Sequence, residues 1–403
     1  TLFRSRGGWA GYAWGGAAYC EPNSNPVFIH CLFEGNRVEG GNAGNGGNGQ
    51  DGGGLPNWGG NYTPPSRLDI DPNAAPPADA AALIPADEDL WKVWGYRGDY
   101  RWYSGHGGAV FCDVGSRVRF VRCTIRDNHT SGGMSGVGGQ LPDADRNIEP
   151  LVAFEIPSSG GGVYCADESV VTFEGCTLEN NTASLPAAGA DPNHVIDPYL
   201  GFGGGLAAER KAKVVLLDCN VMDNIAETGG GLYGADVRLE VKGGTVARNV
   251  ALRGGGLYGL AGSIQIDDCN VVSNLAEIDP NDVGVLSSGG GAGLMLVDTS
   301  ASVRNSRVEG NRTTASGGGL LILGQGSPSV FNCLITYNQA NRDGGGISTN
   351  WNATPRVGSS TFVGNAAPGL PGPIVGSVIP DTGLGGALFC GYGSEAVVRD
   401  SIF

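Results

Sequence analysis

Along the chain, apolar positions recur in two fixed columns with polar residues between them. Aligned on a phrase of the form C-x-[apolar]-x-x-N, the sequence gives nine complete matches: CLFEGN, CTIRDN, CTLENN, CNVMDN, GTVARN, CNVVSN, SRVEGN, CLITYN and STFVGN. Two residues after the Cys position the column reads Phe33, Ile125, Leu178, Val221, Val246, Val271, Val308, Ile335, Phe362 and, in an unfinished last phrase, Phe403. Three residues before it the column reads Phe28, Phe120, Phe173, Leu216, Val241, Ile266, Val303, Val330, Val357 and Val398. No polar residue enters either column. The polar neighbours, such as Arg119, Thr124 and Arg126, alternate with them, which predicts short strands with one face inward and one outward.

A second phrase precedes each of these: Gly-Gly followed by two or three apolar residues, as in GGAVFC, GGGVYC, GGGLYG (twice), GGGLLI, GGGIST and GGALFC. It predicts a further strand, with the glycines allowing a corner of positive φ and close approach between neighbours. The closing Asn never varies: Asn36, Asn128, Asn181, Asn224, Asn249, Asn274, Asn311, Asn338 and Asn365. Its uninterrupted spacings are 25, 25, 27 and 27 residues, too short for a propeller blade and right for one turn of a β-solenoid. The expected fold is therefore all-β, a parallel β-helix of about ten coils. Stacked Asn side chains hydrogen-bond along such a rod, so this column reads as a structural ladder.

The literal F-x-x-N at Phe33 to Asn36 and Phe362 to Asn365, with G-G-A-[apolar] at Gly107 to Val110 and Gly385 to Leu388, resembles the paired repeats of polymorphic outer-membrane autotransporter adhesins. Related Gly/Asn-rich repeats occur in large bacterial surface proteins of the pectin-lyase-like superfamily. The resemblance covers nearly the whole chain and implies a right-handed parallel β-helix, an adhesive role and a bacterial cell-surface or extracellular location. It equally admits a polysaccharide lyase or glycoside hydrolase, because carbohydrate-active enzymes share the fold. The chain departs from the adhesins in carrying no translocator barrel.

Composition agrees with a solenoid: 72 glycines in 403 residues without a triplet period, 40% hydrophobic residues and only 16% charged. The net charge of -15 disfavours nucleic acid and anionic membrane surfaces, and no apolar run is long enough to insert in a membrane. Thr1 to Arg6 show no signal peptide, Thr1-Leu2-Phe3 reads as a coil under way, and Asp400 to Phe403 open a phrase that is not finished. The chain is expected to be one β-helix domain over 1–403, cut from a longer protein, with open edges suited to head-to-tail self-association.

Insertions fall at about 37–105, 129–159, 182–202, 275–288 and 366–384, always between the Asn and the next double Gly. They share one face, and in solenoids that face is often the binding face. The longest carries Trp58, Tyr62, Trp91, Trp94, Trp102 and Tyr103, either a platform for a glycan or the packing core of the insert. Asp69-x-Asp71-x-Asn73 and Asp143-x-Asp145-x-Asn147 offer oxygen ligands to calcium, or Asx turns. Of ten Cys, Cys31, Cys123, Cys176, Cys219, Cys269 and Cys333 share one small column with Gly and Ser. Cys20, Cys112 and Cys165 lie eleven residues before the first three, so cross-core disulfides and buried thiols both fit. For catalysis the one candidate group is His106, His129, Asp127 and Arg101, a base with a cation to stabilise developing charge. The leading expectation is a non-enzymatic surface protein that binds a glycan or a cell-surface protein through its looped face.

Overall fold

Two left-handed residues per coil bend the Cys-to-Asn phrase. One precedes the Cys column, as at Arg122 (φ 50°), Asp218 (φ 51°) and Asn332 (φ 53°), and the other precedes the Asn column, as at Asp127, Asn180 and Asp223 (φ 56–58°). Most of these sites hold Asp, Asn or Gly, the residues for which this backbone is least costly. Each bend turns the chain while leaving the next side chain, Cys or Asn, pointing inward.

The computed structural model of the chain describes residues 13–40, 105–132, 158–184, 201–277, 289–369, 383–391 and 393–403. Every regular element among them is a strand, so no helix among them is long and apolar enough to cross a membrane. A full turn consists of Ser158–Ser159, Val163–Cys165, Val170–Glu174, Thr177–Glu179 and Thr182–Ser184. Each strand pairs in parallel with its counterparts one turn before and after, as Val163–Cys165 does with Val110–Cys112 and with Leu206–Ala208. The Gly-Gly phrases build a ten-stranded sheet and the Cys-to-Asn phrases a seventeen-stranded one. The chain is thus a parallel β-helix, as the column pattern predicts.

The two apolar columns fill the core. Phe120, Ile125, Phe173, Leu178, Leu216 and Val221 are all fully buried, and Phe28, Phe120 and Phe173 stack one above another at 5.1 and 4.7 Å. The Asn ladder is continuous. From Asn36 to Asn338, each backbone N–H and each Nδ2 donates to the Oδ1 of the next Asn, at 2.8–3.2 Å. From Asn128 onward, Nδ2 also donates to a backbone carbonyl of the preceding turn, as Asn249 does to Val221 at 2.9 Å. No polar atom of these buried amides is left without a partner along the ladder.

The Cys column proves to be a second ladder. The N–H of Cys123 donates to Sγ of Cys176, that of Cys269 to Oγ of Ser306 and that of Cys333 to Oγ of Ser360, at 3.1–3.4 Å. Each thiol or hydroxyl donates in turn to the carbonyl two residues before it, as Cys219 does to Leu217 and Ser360 to Gly358. Cys and Ser interchange here because both can accept an amide proton and close the bend. All ten Cys are free thiols. The neighbours of Cys112 are Cys20 and Cys165, its registered partners in adjacent turns, so cross-core pairing with Cys123 is not adopted.

Candidate functional site

The described stretches end at residues 40, 132, 184, 277 and 369 and resume at 105, 158, 201, 289 and 383. Each of these ends follows the strand after an Asn and precedes a double-Gly corner, so the described residues that flank the sequence insertions share one corner. The double Gly itself answers a packing demand. Gly203 has φ 64°, and a Cβ on Gly204 would stand 2.6 Å from the backbone N and O of Ile225. The corner is pressed against backbone.

Immediately beyond the breaks, short strands carry Trp14, His106 and Phe202 outward, towards the outer face of the ten-stranded sheet. That face presents its own outward row in the middle of the double-Gly phrases, including Tyr19, Phe111, Tyr164, Tyr233 and Tyr258. The two sets pack into an aromatic elbow. Trp14 stacks on Phe111 at 5.2 Å, Phe111 on Tyr164 at 5.2 Å, His106 lies 4.5 Å from Tyr164, Phe202 4.8 Å from Tyr233, and Tyr233 5.7 Å from Tyr258. Tyr19, at 41% exposure, is the open end of the row, whereas Tyr164 is 8% exposed.

Polar groups collect where this row meets the turn into the long sheet. Tyr164 donates from its hydroxyl to Oε2 of Glu209 at 3.2 Å, and Arg210 stands 3.8 Å from Asp167. Arg210 (φ 47°) and Lys211 (φ 65°) are consecutive left-handed residues without being Gly, a conformation that costs roughly 1–2 kcal/mol at each position. Burial raises the Glu209 carboxyl, with the charge of Asp167 adding to it and Arg210 and Tyr164 opposing. Asp167 is raised chiefly by burial too, against the pull of Arg210. The partly exposed His106 ring lies in a recess dense with protein atoms, and this burial, with the Arg210 cation, holds its pKa down to about 4. Two carboxyls held towards their neutral forms, a guanidinium and phenol edges can exchange hydrogen bonds with a polyhydroxylated ligand.

Three of the sequence-derived catalytic candidates lie among the described residues. His129 has its Nε2 3.3 Å from Ser184 Oγ, with its pKa lowered by burial and by Arg37. Asp127 accepts from Asn180 Nδ2 at 2.6 Å and borders a surface hollow with Arg126, Glu179 and Asp223. His106 packs on Tyr164 at 4.5 Å. Arg101, Trp58, Tyr62, Trp91, Trp94, Trp102, Tyr103, Asp69, Asp71, Asn73, Asp143, Asp145 and Asn147 lie outside the described residues. Among the described residues no three His, Cys, Asp or Glu side chains converge as a metal shell.

The elbow lies in the Gly-Gly phrases, whose apolar residues by themselves predict only a strand. Their alternation held the signal: Tyr19, Phe111, Tyr164, Tyr233 and Tyr258 recur at one position of these phrases, in the outward register. Glu209-Arg210-Lys211 also breaks the pattern, since the corresponding turns elsewhere hold residues such as Gly115, Asp236 and Asp298.

Among known families, the model of the right-handed β-helix region matches residues 107–306, which carry most of this elbow. Neither the curated proteins nor the solved structures contain a match to the chain.

Proposed function

For a chain that is a right-handed parallel β-helix repeat protein, we propose a structural and adhesive role at the cell surface or outside the cell, with a glycan held in the elbow beside the looped corner. The observation that carries this reading is the aromatic row ending in Tyr164, Glu209, Asp167 and Arg210, next to the insertion points. Aromatic edges supply apolar contact for sugar rings, and the carboxyls and guanidinium supply the directional hydrogen bonds. The inserts, with Trp58, Trp91 and Trp94 among them, extend the same surface in this reading. Calcium at Asp69, Asp71 and Asn73 or at Asp143, Asp145 and Asn147 would brace them, and chelation would then lower the melting temperature. Head-to-tail association of coils would serve the same structural role.

The test is a glycan panel probed with the intact chain and with Tyr19→Ala and Arg210→Gly. Gly suits the φ of Arg210, so that variant removes the guanidinium while relieving backbone strain. At least a tenfold loss of affinity with an undiminished melting temperature supports the elbow. Binding that neither variant alters rejects it.

A second reading, a glycoside hydrolase, is favoured by the two raised carboxyls, Glu209 as proton donor and Asp167 as its partner. Release of reducing ends by the intact chain, abolished in Glu209→Gln, would replace the binding role with an enzymatic one.

A further inference from the structure

Among the described residues, consecutive left-handed residues other than Gly occur in two places, Arg210-Lys211 (φ 47° and 65°) and Trp351-Asn352 (φ 60° and 65°). The two turns share a plan. Each follows an outward polar residue, Glu209 or Asn350, and each precedes a fully buried alanine, Ala212 or Ala353. Glu209 and Asn350 also stand in one outward row, joined by successive parallel pairings through Ala235, Leu260, Val297 and Leu323. Five steps of about 4.8 Å set them about 24 Å apart along the rod. We propose that the two turns are the ends of one extended site, which takes a linear, uncharged polysaccharide lying along the rod axis. This rests on the elbow reading above and makes the glycan a long one.

The Trp351 end has the means to hold a sugar. Trp351 is 51% exposed although it is large and apolar, and the left-handed backbone that carries it is costly for any side chain but Gly. A turn that only connects strands forms at lower cost with Gly, as at Gly324 (φ 78°) in the preceding turn. Just before Trp351, the half-buried Asn350 amide donates to Ser348 Oγ at 3.3 Å, and its Oδ1 accepts no hydrogen bond from the described residues. A sugar ring stacked on the indole supplies the hydroxyl donor that this amide lacks, as Glu209 and Arg210 supply polar partners at the other end.

What lies between the ends selects the ligand. Backbone hydrogen bonds place Arg210, Asp236, Ala261, Asp298, Gly324 and Trp351 in successive turns of one corner. The exposed side chains of that row between its ends are Asp236 and Asp298, and the row holds no cation there. Their carboxylates accept hydrogen bonds from hydroxyls and repel uronate or sulfate groups, which favours a neutral glycan over an anionic one. The half-buried Ala235, Leu260 and Val297 in the adjoining row add apolar surface for the C–H faces of the rings. A chain held at both ends gains from effective concentration, so affinity rises steeply once a ligand is long enough to span them.

The intact chain is titrated by calorimetry with glucomannan and mixed-linkage β-glucan, with their oligosaccharides in graded lengths, and with polygalacturonate as the anionic comparison. Trp351→Gly removes the indole and suits the backbone, as Arg210→Gly does at the other end, while Trp351→Phe keeps a ring. The expected result is a neutral polymer bound in preference to polygalacturonate, at least tenfold more tightly than its short fragments. Trp351→Gly should abolish that gain, with fragment affinity and melting temperature undiminished, and Trp351→Phe should restore most of it. Arg210→Gly should weaken polymer and fragments alike. Equal affinity for polymer and fragments, or a polymer affinity that Trp351→Gly leaves unchanged while Arg210→Gly lowers it, overturns the extended site and leaves the elbow standing. Preference for polygalacturonate overturns the uncharged ligand. Absence of binding, or binding that neither variant alters, fails the elbow reading itself and the extended site with it.

Discussion

Asn249 shows what a single ladder residue does. Its Oδ1 accepts both the N–H and the Nδ2 of Asn224, while its own Nδ2 donates to Asn274 and to the Val221 carbonyl. Asn249→Ala strips two donors in the turn below of their acceptor inside a water-free core. The expected loss is about 2–3 kcal/mol, read from the urea midpoint. His106 makes a prediction of opposite character. Its folded pKa of about 4 lies below the ordinary 6.5, so between those values the unfolded chain takes up a proton that the folded chain refuses. Its contribution to stability is therefore present above pH 6.5 and lost as the pH falls towards 4. The raised carboxyls of Glu209 and Asp167 act the other way, gaining stability as the pH falls through their folded values. In His106→Phe, urea titrations across this range should show a smaller acid loss than the intact chain; an unchanged slope would remove His106 as its source.

At the scale of elements, the same residue type carries different burdens. Gly204 lies in a corner where a Cβ would meet backbone at 2.4–2.6 Å, whereas the Cβ position of Gly35 is empty and only its φ of 65° resists substitution. Gly204→Ala should cost more than about 3 kcal/mol, with loss of the folded state as one outcome. Gly35→Ala should cost about 1–2 kcal/mol by thermal unfolding. Strand alternation and the double-Gly corner were legible in the sequence, because the apolar columns mark the faces and Gly marks the corner, whereas the left-handed bends before the Cys and Asn columns emerged from the structure. The outward aromatic row was less legible. Tyr and Phe within the double-Gly phrases look like more core until pairing places Tyr164 beside His106 and Glu209, residues distant in sequence.

For the whole molecule, the stack and its insertions are separable. Arg253 and Gly290 occupy equivalent positions, and Glu277 follows Ala276 as Leu252 follows Ala251. Deleting residues 278–289 would join Glu277 to Gly290 with the spacing of an uninterrupted turn. The shortened chain should keep its β-sheet circular dichroism and melt within a few degrees of the parent; collapse of the transition would make that insertion part of the fold. By itself, the sequence determined the solenoid, its inward columns and the Asn ladder. All of these repeat once per turn, and a parallel stack converts sequence periodicity directly into contact between identical positions. Only the tertiary structure decided that the thiols stay free rather than pair across the core, and that Tyr164, Asp167, Glu209, Arg210 and His106 meet. Such contacts depend on which turns lie side by side and which way each corner faces, and no single repeat encodes either.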